Sequence, residues 1–179
     1  MVNRERSLDS KTAYQGRRIN LRVDTIELPS GRRTTREIVE HSNCVAIVAI
    51  DSEENVIMVR QYRSAVAKVL LEIPAGKIEA GEDPSECVHR ELREETGYLA
   101  KKVEALGGFY ASPGYSTEYL HLYLAAGLEP SQETPDSDEI MGVVRIPLTD
   151  IAGMIASGEI CDAKSVAGLL RVIREKMSF

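Results

Sequence analysis

The stretch GKIEAGEDPSECVHRELREETGY, Gly76 to Tyr98, decides how this chain is read. It opens on a glycine turn, starts a helix, packs that helix with charge and stops it at another glycine. Asp83 suits the N-cap and Pro84 the first helical position, and Glu86 completes a capping-box-like pattern. Gly97 stands where a left-handed C-terminal residue belongs. Glu91, Glu94 and Glu95 are spaced i, i+3 and i+4, so they share one side of the helix. Like charges so close repel, and on a helical wheel all three adjoin the apolar residues Cys87, Val88 and Leu92. A solvated, salt-bridged face would oppose those residues. Carboxylates beside a core are costly unless partnered. Arg90, four residues before Glu94, supplies one partner, and hard oxygen ligands placed this way suit Mg2+ or Mn2+.

Outward from this stretch, the chain reads as a mixed α/β protein. Cys44–Ile50, CVAIVAI, is a continuous apolar run, as in a strand buried on both faces. Val56–Tyr62 and Leu70–Ile73 read as strands before the glycine turn, and Val103–Tyr110, Glu118–Ala126 and Ile140–Ile146 as strands after the helix. Leu148–Ser157 and Ala163–Lys176 are amphipathic helices, the first ended by Gly158. Ahead of the core, Arg18–Leu28 and Thr34–Glu40 flank the turn Pro29-Ser30-Gly31 as a β-hairpin, and residues 1–16 read as a mobile or partner-bound arm. Domain boundaries are expected at 1–40 for arm and hairpin and 41–179 for the main domain. Leu128–Glu139 reads as an acidic, turn-rich loop.

Composition narrows the function. With 179 residues there is interior enough for a core, and a net charge of −6 argues against a nucleic-acid binder. No apolar run approaches the ~20 residues that span a bilayer, and the polar N-terminal segment lacks the apolar core of a signal peptide. A cytoplasmic protein is expected. Three scattered cysteines and three scattered histidines form neither a disulfide framework nor a zinc pattern.

The spacing Gly76, Glu82, Arg90, Glu91, Leu92, Glu94, Glu95, Gly97 resembles the Nudix hydrolase box at every fixed position. Tyr98 is a mild departure where the box has an aliphatic residue. The resemblance implies the Nudix fold, an α/β/α sandwich around a mixed β-sheet, here with an N-terminal β-hairpin extension. It also implies hydrolysis of a nucleoside diphosphate linked to another moiety, with Mg2+ (Mn2+ substituting). It carries the metal onto Glu91, Glu94, Glu95 and the Ala75 carbonyl, with Glu82 and Arg90 in support.

Outside the box, Pro113 follows Gly97 by sixteen residues in the segment Ser112–Glu118, a spacing similar to the ADP-ribose pyrophosphatase subgroup. Arg36-Glu37, Arg63 and the late segment DAKSVAGLL also resemble that subgroup. Arg36, Glu37, Arg63, Pro113 and Glu118 are therefore expected to bind substrate; arginine suits a diphosphate because it is permanently charged and binds in a bidentate fork. Glu94 and Glu95 are expected to be catalytic. The resemblance places the general base in the loop beyond the box, with Glu139 ahead of Asp138 and Asp136, and Glu118 as the alternative. A homodimer is implied, its N-terminal hairpin reaching the partner. The expected reaction converts ADP-ribose, or a related nucleoside diphosphate sugar, to AMP and ribose 5-phosphate. A Nudix hydrolase of NADH, FAD or an oxidised nucleotide is the second reading, and a non-catalytic nucleotide-sensing module the third.

Overall fold

The structure is a computed structural model and describes residues 4–131 and 142–177. The chain forms two compact units, Met1–Asn43 with Tyr110–Tyr119, and Cys44–Phe109 with Leu120–Phe179.

The first unit is a three-stranded antiparallel sheet of β1 (Arg6–Gln15), β2 (Asn20–Glu27) and β3 (Arg33–Glu40), in that order. The β2–β3 hairpin turns at Gly31, whose φ of 80° is in the left-handed region that glycine tolerates. The strand β1 replaces the expected arm. All of its residues are exposed, so it carries no buried alternation for a sequence to display. Backbone pairing with β2 makes it a strand, and Ser10 Oγ adds a 2.7 Å bond to its cross-strand partner, the buried Asp24. The returning segment Tyr110–Tyr119 is tied to the end of β3: the Val39 amide donates to the Tyr115 carbonyl at 2.7 Å, and the Thr117 amide to the Val39 carbonyl at 3.0 Å.

The second unit is organised by β4 (Cys44–Ile50), every residue of which is buried. It pairs antiparallel with β5 (Asn55–Arg63) and β7 (Ala75–Lys77), and parallel with β9 (Tyr119–Pro130). Strand β6 (Lys68–Glu72) pairs with β5, β10 (Gly142–Pro147) lies on the other side of β5, and β8 (Tyr98–Tyr110) lies beyond β9. The sheet is mixed, as the sequence leads one to expect. Successive side chains of a strand point to opposite faces. Val45, Ile47 and Ala49 pack in one cluster with Cys87, Val88 and Leu92 of α1 (Pro84–Thr96). Val48 points the other way, toward α3 (Ala163–Met177): a Cβ on Gly168 would lie 3.2 Å from Val48 and 2.9 Å from Leu122. Gly168 lets α3 approach the sheet closely. Helix α2 (Leu148–Ser157) packs beside α3 and ends at Gly158, φ 80°. Both faces of β4 are covered, which gives the α/β/α layering and explains the unbroken apolar run. Burial of each such Val or Ile contributes about 1.5–3 kcal/mol.

Candidate active site

Helix α1 forms where the sequence places it. Asp83 accepts a hydrogen bond from the Ser85 amide at 2.8 Å, Pro84 opens the helix, and Gly97, at φ 73°, closes it with its amide on the Arg93 carbonyl. Cys87, Val88 and Leu92 are fully buried, so the face adjoining them is held against the sheet.

That face carries the glutamates. Glu95 is 8% exposed, and its Oε2 accepts from the Ala75 amide at 3.0 Å. Glu91 lies against β7: a Cβ on Gly76 would stand 1.7 Å from the Glu91 carboxyl carbon. Only glycine leaves room there, which gives the first residue of the motif its physical reason. Glu94 is the more open of the three, with its side chain 39% exposed.

Arg90 organises these carboxylates. Its Nε donates to Glu82 Oε1 at 2.8 Å, its Nη1 to Glu91 Oε1 at 2.6 Å and Glu94 Oε2 at 3.2 Å, and its Nη2 to Glu82 Oε2 and the Lys77 carbonyl, both at 3.0 Å. All five donors of the guanidinium are engaged within the protein. Hydrogen bonding from Arg90 holds the Glu82 carboxyl down to about 2, and Glu82 in turn raises the Arg90 pKa above its ordinary value. One guanidinium facing three carboxylates leaves a negative excess of hard oxygen donors. That donor set fits Mg2+ or Mn2+, and the glycine-backed pocket beside Glu91 fixes where the oxygens stand. Cys87 beneath is not a ligand of this kind: burial pushes its thiol up to about 12.

The remaining expected residues fall in both units. In the second, Arg63 at the end of β5 is gripped by the buried Glu72, with Nε to Oε1 at 2.8 Å and Nη2 to Oε2 at 2.6 Å. Burial works to raise the Glu72 carboxyl, but Arg63 and Lys164 outweigh it and hold it below the ordinary value. Residue 72 was not singled out by sequence; its signal was a lone acid between Leu71 and Ile73 in an apolar strand. In the first unit, Arg36 and Glu37 lie on β3, and Arg36 pairs with Glu5 at 2.5 Å. Pro113 and Glu118 lie in the segment bonded to the end of the same strand. Glu118 faces His41 at 3.8 Å, a pairing the sequence did not suggest. Asp136, Asp138 and Glu139, the loop candidates for general base, lie outside the described residues.

Oxygen donors on a glycine-backed helix, packed on a mixed sheet covered on both faces, make a site of the kind that holds a hard divalent cation. Residues 40–169 match the NUDIX domain, and residues 5–39 match the nucleoside diphosphate sugar hydrolase N-terminal domain. The chain belongs to the Nudix family. It is 40% identical over 163 residues to the ADP-ribose pyrophosphatase of Bacillus subtilis (strain 168), covering 90% of this chain and 88% of that one. It is 41% identical over 164 residues to the methanol dehydrogenase activator of Bacillus methanolicus, covering 90% and 89%. A crystal structure of an ADP compounds hydrolase superposes with a TM-score of 0.89 at 25% identity, over 99% of this chain and 96% of that one. This chain is a Nudix hydrolase of the nucleoside diphosphate sugar type. Among the described residues, no helix is long and apolar enough to cross a membrane.

Proposed function

We propose that this enzyme hydrolyses ADP-ribose to AMP and ribose 5-phosphate. Water adds to one phosphorus of the diphosphate, the bridging P–O bond breaks, and two protons are released as both phosphate monoesters ionise at neutral pH. The observation that carries this reading is the intact glutamate set on α1 in a chain whose residues 5–39 match the N-terminal domain of nucleoside diphosphate sugar hydrolases.

Glu91, Glu94, Glu95 and the Ala75 carbonyl hold the divalent cation, Mg2+ or Mn2+. When bound, that cation neutralises phosphate oxygens and lowers the pKa of bound water. The Ala75 amide keeps Glu95 in place, and Arg90, with Glu82 behind it, keeps Glu91 and Glu94 aimed. Arg63 in the second unit binds the diphosphate; Arg36, Glu37, Pro113 and Glu118 in the first unit are assigned to substrate binding. Glu139, ahead of Asp138 and Asp136, takes the proton of the attacking water, with Glu118 as the alternative. The free cysteines Cys44, Cys87 and Cys161 favour the cytoplasm as the place of reaction.

One relative at 41% identity carries an activator's name, so likeness at this level leaves the substrate to experiment. A panel of ADP-ribose, other nucleoside diphosphate sugars, NADH, FAD and an oxidised nucleoside triphosphate, run with Mg2+ and Mn2+ and resolved by product chromatography, tests it. ADP-ribose should give AMP and ribose 5-phosphate and the highest kcat/KM. Faster turnover of the triphosphate would overturn the assignment, and tight ADP-ribose binding without turnover would favour a sensing module. The homodimer belongs to the same proposal: sedimentation equilibrium of the full chain should return twice the 19.8 kDa chain mass, and a monomer would contradict it.

A further inference from the structure

The strand that leads to Ala75 holds a carboxylate that the reaction above does not use. Glu72 is 1% exposed, between Leu71 and Ile73, both buried. An ionised group so deep is expensive, and its neighbours show what it is held for. Both of its oxygens take the Nε–Nη2 edge of Arg63. Its Oε2 also accepts from Lys164 Nζ at the start of α3, and Lys164 is itself fixed by Asp162 Oδ1 at 2.8 Å. Next along the chain, the Ile73 amide donates to Ser165 Oγ at 2.8 Å. Glu72 is thus held from α3 before it holds anything else.

The Arg63 side chain, by contrast, is 40% exposed. With Nε and Nη2 on Glu72, the guanidinium plane is set, and Nη1 has no protein partner among the described residues. The charge of Glu95 also acts on Arg63, so the arginine is within electrostatic reach of that glutamate.

We propose that Glu72 is a positioning residue: braced by Lys164, it holds Arg63 edge-on, so that the outer N–H groups of the guanidinium meet the substrate's diphosphate. This rests on the reading that Arg63 binds diphosphate. A side-on grip removes the rotamer freedom a long arginine would otherwise lose on binding, and so it acts on substrate affinity. A purely structural pin between β6 and α3 would act on stability instead.

The test is a cycle of Glu72→Gln, Arg63→Ala and the double variant, read as KM, kcat and Tm on the preferred substrate of the panel. Glu72→Gln should raise KM roughly tenfold, the scale of losing a group that orients a ligand-binding side chain, with kcat changed less than about threefold. In the double variant KM should equal that of Arg63→Ala alone, because Glu72 acts through Arg63. A lowered Tm with unchanged KM in Glu72→Gln, or a further tenfold rise in the double variant, would overturn the proposal. If Glu72→Gln does not fold, Lys164→Gln replaces it: a KM rise of about threefold is expected, and an unchanged KM would overturn it. Failure of the wild type to turn over any substrate counts against the proposed reaction alone. Positioning is then read as the Kd for α,β-methylene-ADP, which should weaken in Glu72→Gln; an unchanged Kd would overturn it.

Discussion

At Gly76 the missing side chain is what lets the Glu91 carboxylate lie against β7. Gly76→Ala would put a methyl group 1.7 Å from the Glu91 carboxyl carbon, so Glu91 must leave its place. Hydrolysis should fall roughly 10- to 100-fold, as when a group orienting a metal ligand is lost, with the far-UV CD spectrum unchanged; activity within twofold of wild type would contradict this reading. Glu82 offers a second check. Its carboxyl is held at about 2, against 4.5 in the unfolded chain, chiefly by hydrogen bonds from Arg90. A depressed folded pKa stabilises above pH 4.5, and that stability drains away as pH falls toward 2. Glu82→Gln should therefore flatten the fall of Tm with acid over that window, and equal slopes would refute the coupling. The helical wheel made much of this legible: it set Glu91, Glu94 and Glu95 beside Val88 and Leu92, and Glu95 is indeed buried. It could not show Glu72, whose partners Arg63 and Lys164 are 9 and 92 residues away.

Among elements, α1 was readable because its punctuation is local. Asp83, Pro84 and Gly97 act within a turn of themselves, so no tertiary partner is needed to place the ends. Gly97 holds φ 73°, where an L side chain costs about 1–2 kcal/mol. Gly97→Ala should lower the urea midpoint accordingly and, by loosening the turn that carries Glu94 and Glu95, reduce activity with it; an unchanged midpoint would show that the cap does not hold the helix end. The strand β4 was legible for the opposite reason, since burial on both faces writes itself as an unbroken apolar run. The strand β1 was not. It is exposed along its length and owes its form to the edge of β2. The strand β8 begins at Tyr98, five residues before its apolar pattern becomes visible at Val103, because Lys101 and Lys102 interrupt it.

Across the whole molecule, the box glutamates and Arg90 all stand in one unit, whereas the residues assigned to recognition are drawn from both, Arg63 from the same unit as the glutamates and the rest from the other. Glu82, Arg90, Glu91, Glu94, Glu95 and Arg63 stand in Cys44–Phe109, while Arg36, Glu37, Pro113 and Glu118 stand in Met1–Asn43 and Tyr110–Tyr119. The central claim concerns the helix. Glu95→Gln keeps the shape of the side chain and an oxygen for the Ala75 amide while removing the charge a metal needs. Measured on ADP-ribose at saturating Mg2+, its kcat should fall at least ~100-fold, the scale of losing a preorganised charged group, with an unchanged Tm. Wild-type kcat in that variant would contradict the account.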